Sequence, residues 1–232
     1  GVGGGSLVYA NTLLVPPDQA FEDNRWIGGG WKNKLVPFYD LAKKMLGATK
    51  APYLAETDYI LKESAIRLDR EKTFKSVDVG VYFNKSGETV KDPYFNGEGP
   101  ERNGCVLCGG CMVGCRYNAK NTLDKNYLYL AEKKGVQISP EKEVLHVRKS
   151  DKGYTVKYKK STGILRISDE VSAKKIIFSG GVMGSVKLLL KCKEQGYLSK
   201  LSGCLGNYVR TNSESILGVR SRSISKDKDF TK

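Results

Sequence analysis

The 232-residue sequence predicts an α/β fold. Three patterns point to it. Apolar residues recur at helical spacing in 35–46 and again in 57–68. Short alternating or apolar runs, bounded by turn residues, occupy 77–83, 142–148 and 154–160. Residues 174–193 read as a hydrophobic strand, a glycine turn and an amphipathic helix in succession. The length allows one large domain or two small ones with a buried core. Hydrophobic residues at 40% and charged residues at 28% are a globular mix, not a disordered one.

Taken in order, the first helix has Leu35, Phe38, Leu41, Ala42, Met45 and Leu46 on one face, and Gly47 is placed to cap its C-terminus. Thr57 to Leu68 follows as a second helix, then Val77 to Phe83 as a strand. Residues 87–103 are rich in Gly, Pro and Asn and read as a loop. Asn118 or Asn121 is expected to cap a helix that runs to Lys134 and closes at Gly135. Lys142 to Arg148 and Tyr154 to Lys160 form a hairpin that turns at Asp151-Lys152-Gly153. Lys174 to Phe178 is expected as a buried strand, Ser179-Gly180-Gly181 as its turn, and Val182 to Lys193 as the following helix. The tail beyond Ser221 is polar. No internal repeat is present.

The composition narrows the function classes. The net charge of +14 arises from 39 basic and 25 acidic residues. A surplus of that size can mark a polyanion-binding face. Here the lysines are spread along the chain in short pairs such as Lys43-Lys44, Lys133-Lys134 and Lys174-Lys175, with no nucleic-acid-binding motif, so no nucleic acid is expected as a partner. No run of 18 apolar residues suggests a membrane span. The sequence opens at Gly1 in a glycine-rich stretch, which reads as the inside of a longer protein, so the lack of a leader carries no weight.

Three segments carry chemistry. Four of the first five residues are glycines, followed by Ser6 and the apolar Leu7-Val8-Tyr9. Glycines this dense let backbone approach a ligand closely, and Ser6 adds a hydroxyl. In Lys174 to Ser185 the turn glycines Gly180 and Gly181 sit where a helix N-terminus offers free N–H groups and a positive dipole end. The third segment is Cys105-x-x-Cys108-x-x-Cys111-x-x-x-Cys115. This is the thiolate spacing of a bacterial ferredoxin run, with Arg116 in place of the usual proline. It suits a 4Fe-4S cluster; zinc and purely structural thiols or disulfides stay open as alternatives. Cys192 and Cys204 are expected to be buried and inert. His146 is the lone histidine, which leaves no His pair for catalysis or metal, and it reads as structural.

These segments, in this order, resemble the glucose–methanol–choline (GMC) family of FAD-dependent oxidoreductases, in its cholesterol-oxidase-like branch. GVGGGSLVYANTL is similar to the family's flavin-contacting loop, and AKKIIFSGGVMGSVKLLLK to its later strand–turn–helix. Between them, CVLCGGCMVGCRYNAKNTLDKNYLYLAEKKG resembles the segment leading into the second half of the FAD domain. The resemblance implies an incomplete Rossmann-like FAD-binding domain with part of an α+β substrate-binding domain. It divides the chain into a flavin-contacting glycine loop (1–34), a helical substrate-side insertion (35–104), the Cys cluster with the second half of the FAD domain (105–212), and the start of the substrate domain or a tail (213–232). It places Gly3, Gly4, Gly5 and Ser6 against the FAD pyrophosphate and flavin, Tyr9 and Asn11 beside them, Val144 at the adenine, and Gly180 and Gly181 at the cofactor backbone. Tyr9-Ala10-Asn11 departs from the Asn-Gly-Gly usual at that point, which marks a relative rather than a standard steroid oxidase.

The activity implied is oxidation of a CH–OH group on a small apolar alcohol, such as a sterol, by hydride transfer to flavin. Oxygen or a redox partner would accept the electrons, and a lipid substrate would bring the protein to a membrane surface. The family's first glycine fingerprint would precede Gly1, and its catalytic His and Asn would follow Lys232. No catalytic residue is therefore assigned, and the chain alone is expected to bind FAD poorly and to turn nothing over. The alternative is an iron–sulfur electron-transfer module with no catalysis of its own. Four metal-binding thiols would favour the reducing cytoplasm.

Overall fold

The computed structural model describes residues 1–23 and 25–211, which divide into two units, Gly1–Ile138 and a second that begins at Ser139. The expected tail, 213–232, lies outside the described residues.

The first unit opens with a 3-10 turn at Gly4–Leu7 and another at Asp18–Phe21. Helix α1, Trp31–Leu46, begins a turn earlier than the apolar period suggests. Aromatic packing accounts for the extension: Trp31 packs at a tilt on Trp26, centroids 5.7 Å apart, and its indole N–H donates to the Ile27 carbonyl at 2.9 Å. The helix stops where expected, at Gly47. That residue has φ 58°, and a side chain there would run into Asn121 and Tyr94. Strand β1, Thr49–Lys50, precedes helix α2, Glu56–Arg67, whose first turn is closed by the Asp58 carboxylate accepting from Ala55 N–H at 2.8 Å.

Strand β2 covers only Asp78–Val79, antiparallel to β1, so the expected strand over 77–83 is cut short. The segment is still bridged, but to three different stretches of chain. Gly80 N–H donates to Asn11, Tyr82 N–H to Ala119, and Cys105 N–H to the Tyr82 carbonyl, at 2.8, 2.8 and 3.0 Å. The backbone bonds are thus shared among several short stretches, and no one partner runs long enough to make a ladder. Within the predicted loop 87–103, strands β3 (Thr89–Val90) and β4 (Arg102–Asn103) pair, and the turn between them wraps the Asp92 carboxylate. That carboxylate accepts from the N–H groups of Tyr94, Phe95, Gly97 and Gly99. Helix α3, Tyr127–Lys133, is capped by Asn126 and not by Asn118 or Asn121. Asn118 donates to Glu101, and Asn121 is buried against Gly47 and Tyr94.

The apolar core of this unit is small. Val79, Val81 and Ala119 are buried, with Ala51, Val77, Phe83 and the thiols Cys105, Cys111 and Cys115 packed on them. Polar side chains do the rest. Arg102 is 1% exposed and donates to Asn118, to the carbonyls of Ala119 and Lys120, and to Asn121.

The second unit is regular. Strands β5 (Lys142–Ser150), β6 (Gly153–Lys160) and β7 (Ser168–Ala173) form an antiparallel sheet in chain order, with the hairpin turning at the expected place. Helix α4, Gly181–Glu194, packs on β5, where Val147 N–H donates to the buried Cys192 sulfur at 3.3 Å. The expected strand over 174–178 does not form; the strand lies earlier, at β7. Residues 168–173 pair with β6, whereas 174–178 meets no neighbouring strand among the described residues, and Ile177 is 88% exposed. The chain is thus a mixed helix-and-strand fold. Its strand ladders among the described residues are antiparallel, with a lone parallel bridge at Ser86 and Gly104.

Candidate functional site

The glycine-rich opening is held from behind. Gly3 is buried with φ 90°, and a side chain there would press on Leu7 at 3.0 Å. Ser6 donates its hydroxyl proton to the Gly3 carbonyl at 2.5 Å and accepts from Leu123 N–H at 3.0 Å. The hydroxyl expected to face a phosphate is therefore spent on shaping the turn. Gly4 and Gly5 behave differently: both are exposed, and open space lies where their side chains would project. One side of the loop is fixed to the protein and the other presents bare backbone.

Lys120 does most of the fixing. Its side chain is fully buried, and its ammonium donates to the carbonyls of Leu7, Tyr9 and Cys111 at 3.1, 2.7 and 2.8 Å. It also stands 4.6 Å over the Tyr9 ring, a cation–π contact. Burial holds its pKa below the ordinary lysine value, against the opposing pull of the Cys111 and Cys115 thiols. Tyr9 therefore turns inward, its hydroxyl against Gly80, and burial raises its pKa, with Cys111 adding to the rise. Asn11 is also turned in: it is buried, with φ 61°. Nothing in the sequence singled out Lys120; the signal available was a lone lysine directly after an apolar alanine in a segment that is otherwise polar.

The four clustered thiols come together. Cys105, Cys108, Cys111 and Cys115 all line one cavity of about 20 Å³, with Val81, Ala119 and Lys120 beneath it. That volume holds roughly one water. Left-handed backbone at Leu107, Gly109 and Gly114 curls the segment inward. Leu107 N–H donates to the Cys105 sulfur and Ala119 N–H to the Cys115 sulfur, each at 3.4 Å. Burial pushes the Cys105 and Cys111 thiols up. Burial also acts on Cys115, but the N–H groups of Lys120, Ala119 and Tyr117 outweigh it and hold that thiol below its ordinary value. All six cysteines are free, so the disulfide alternative is not realised. Among the described residues no set of three or more His, Cys, Asp or Glu side chains is arranged to hold a metal ion. Cys192 is buried as expected, whereas Cys204 is exposed, which corrects its reading as a buried thiol.

A groove of about 410 Å³ joins the two segments, lined by Leu7, Cys115, Arg116, Asp124 and Lys125 among others. Beside it two buried polar atoms lack partners, Asp124 Oδ1 and Asn126 Nδ2. Such orphans are uncommon in a finished core.

The remaining predicted positions belong to the second unit. Val144 is 39% exposed on β5, next to a register shift between Val144 and His146. Gly180 precedes α4 and donates its N–H to Ser185 at 3.0 Å, while Gly181 has φ 69° and open space beside it. His146 stacks on Tyr197 with ring centroids 4.3 Å apart.

The GMC oxidoreductase family model matches residues 99–192, a stretch that holds the whole Cys segment, the sheet and most of α4. Over that stretch the chain is similar to the GMC oxidoreductases. Over its whole length it is 43% identical to a cholesterol oxidase of Acinetobacter baumannii and 43% identical to one of Mycobacterium tuberculosis strain CDC 1551. The chain spans 43% and 41% of the length of those two relatives. No solved structure matches it. No helix among the described residues is long and apolar enough to cross a membrane.

Proposed function

We propose that the whole protein is an FAD-dependent oxidoreductase that oxidises a CH–OH group on a small apolar alcohol, a sterol being the first candidate. The single observation behind this reading is the two-sided glycine loop. Lys120 and Ser6 lock its inner side, while Gly4 and Gly5 leave its outer side free of side chains. A flat ring or a pyrophosphate needs such a surface, because any Cβ would hold it off the backbone amides. The residues fit the family's cofactor at this loop, and the orphaned Asp124 and Asn126 atoms beside it offer one acceptor and one donor.

In this reading Gly3, Gly4, Gly5 and Ser6 shape and present the flavin-facing backbone. Tyr9 and Asn11 support it from within, and Val144, Gly180 and Gly181 serve the nucleotide half. FAD, when bound, supplies the hydride acceptor for the alcohol carbon. The chain's own residues bind it, orient it and exclude water from one side of it. The Rossmann-like frame and the α+β substrate domain complete the site in the whole protein. Electrons leave to oxygen or to a redox partner. Six free thiols fit a reducing compartment such as the cytoplasm, and a sterol substrate would draw the protein to a lipid surface.

The test is direct. Flavin released from the denatured full-length protein should be FAD by mass. Anaerobic addition of a sterol or another apolar alcohol should bleach the oxidised-flavin absorption of the native protein. A protein with no flavin, or one whose flavin no alcohol reduces, defeats the proposal.

A further inference from the structure

Among the described residues two cationic side chains are almost fully buried, Arg102 and Lys120, and of these Lys120 borders the clustered cysteines. It is fully buried, it lines the four-thiol cavity, and among the described residues no carboxylate pairs with it. Three carbonyl dipoles accept its protons but carry no net charge. A buried cation without a counter-charge is costly, and proteins keep one where negative charge is brought to it. The groups that face it across the cavity are thiols, which become anionic when they ligate metal.

We infer that Cys105, Cys108, Cys111 and Cys115 are the ligands of an iron–sulfur cluster and that Lys120 is its buried counter-cation. Three further observations agree. All four cysteines line one cavity, so one cluster there would have all four as neighbours. Two backbone N–H groups already donate to ligand sulfurs, the contacts by which a protein tunes such a cluster. Part of the rim from Leu107 to Gly114 faces solvent: Val113 is 90% exposed, Met112 56%, and a Cβ at Gly109 or Gly114 would meet nothing. That exposure matters, since a cavity of about 20 Å³ must widen to admit a cluster and the exposed side is where no packed neighbour opposes it.

A single zinc ion fits less well. It would draw its sulfurs to about 3.8 Å from one another, given Zn–S bonds of about 2.3 Å, and no set of donors among the described residues is gathered that closely around a point. A cluster binds each thiolate through a different iron, so its four ligands need not meet at one point. On ligation each thiol loses its proton to solvent, and the iron and sulfide come from outside the chain. The site stands whether or not the flavin reading holds, because iron and flavin are assayed separately.

The full-length protein, purified without oxygen and then incubated with ferric iron, excess thiol reductant and sulfide, should hold about four iron and four sulfide per chain. Replacing Cys108 and Cys111 together by Ser should lower bound iron more than about tenfold while the far-ultraviolet circular dichroism stays the same. Cys204→Ser, outside the segment, should keep the full complement. Three results would overturn the inference: no iron and sulfide in the wild type after reconstitution, zinc without sulfide in their place, or equal iron in the double variant and in Cys204→Ser.

Discussion

The two units of this chain reach order by different routes. The second unit does it with backbone: three strands of 9, 8 and 6 residues in one antiparallel sheet, and one helix laid on it. The first unit has strands of only two residues each and is held instead by buried polar side chains that reach across the sequence. Arg102 gathers 118–121, Asn121 reaches back to Gly47, and Lys120 reaches back to residues 7 and 9. A sheet spreads its stability over many equivalent bonds. A side-chain hub concentrates it in a few, so single substitutions should separate the two units sharply.

Both tryptophans, Trp26 and Trp31, lie in the first unit, so their fluorescence follows that unit alone, while hydrogen exchange on β5–β7 follows the second. The largest effect is expected from Arg102→Leu. It strips the donor from at least three buried acceptors and should cost about 3 kcal/mol or more, read as a fall in the denaturant midpoint of tryptophan fluorescence with β5–β7 exchange unchanged. Equal loss in both units would break the comparison. Val147→Ala, at 2% exposure in the second unit, should do the reverse, weakening β5–β7 protection by about 2 kcal/mol and leaving the tryptophan transition in place.

Helix α1, the hairpin and helix α4 were legible in the sequence because each is specified locally. The apolar spacing of 35–46 and Gly47, the Asp151-Lys152-Gly153 turn, and the period of 182–193 contain all that is needed. The hub was not legible, because its contacts join residues 16 to 113 positions apart. No local pattern tells Lys120 from thirty-eight other basic residues. The same limit explains the strand placed at 174–178: its apolar run was plain, but pairing depends on a neighbour, and the neighbour β6 is taken by 168–173. At the site, the Cys segment was visible from spacing alone, and the glycine loop from composition. The structure added which side of that loop is closed, which residue closes it, and that Ser6 is already engaged.

Acid sharpens the contrast. Burial alone would raise the Asp92 carboxyl, but four backbone N–H donors outweigh it and hold its pKa below the ordinary value. A depressed folded pKa stabilises above the unfolded value near about 3.9, and that stability is lost as pH falls through the folded pKa. The stability gap between wild type and Asp92→Asn should therefore be constant above about pH 5 and close below about pH 4. A gap that persists unchanged at low pH would remove Asp92 from the account. The smallest effect is expected from Arg148→Ala. Its pair with Glu170 at 2.9 Å is solvent-exposed on the sheet, and its loss should change stability by less than about 0.5 kcal/mol.

The central claim is that the outer side of the glycine loop is where flavin lies. Gly5→Leu in the full-length protein tests it most directly, because an added Cβ meets no protein atom within 4 Å and Gly5 has no left-handed backbone to strain. The account predicts a folded protein with an unchanged tryptophan transition and FAD content reduced more than about tenfold, a loss of roughly 1.4 kcal/mol in binding or greater. A folded Gly5→Leu protein that keeps one FAD per chain would contradict it.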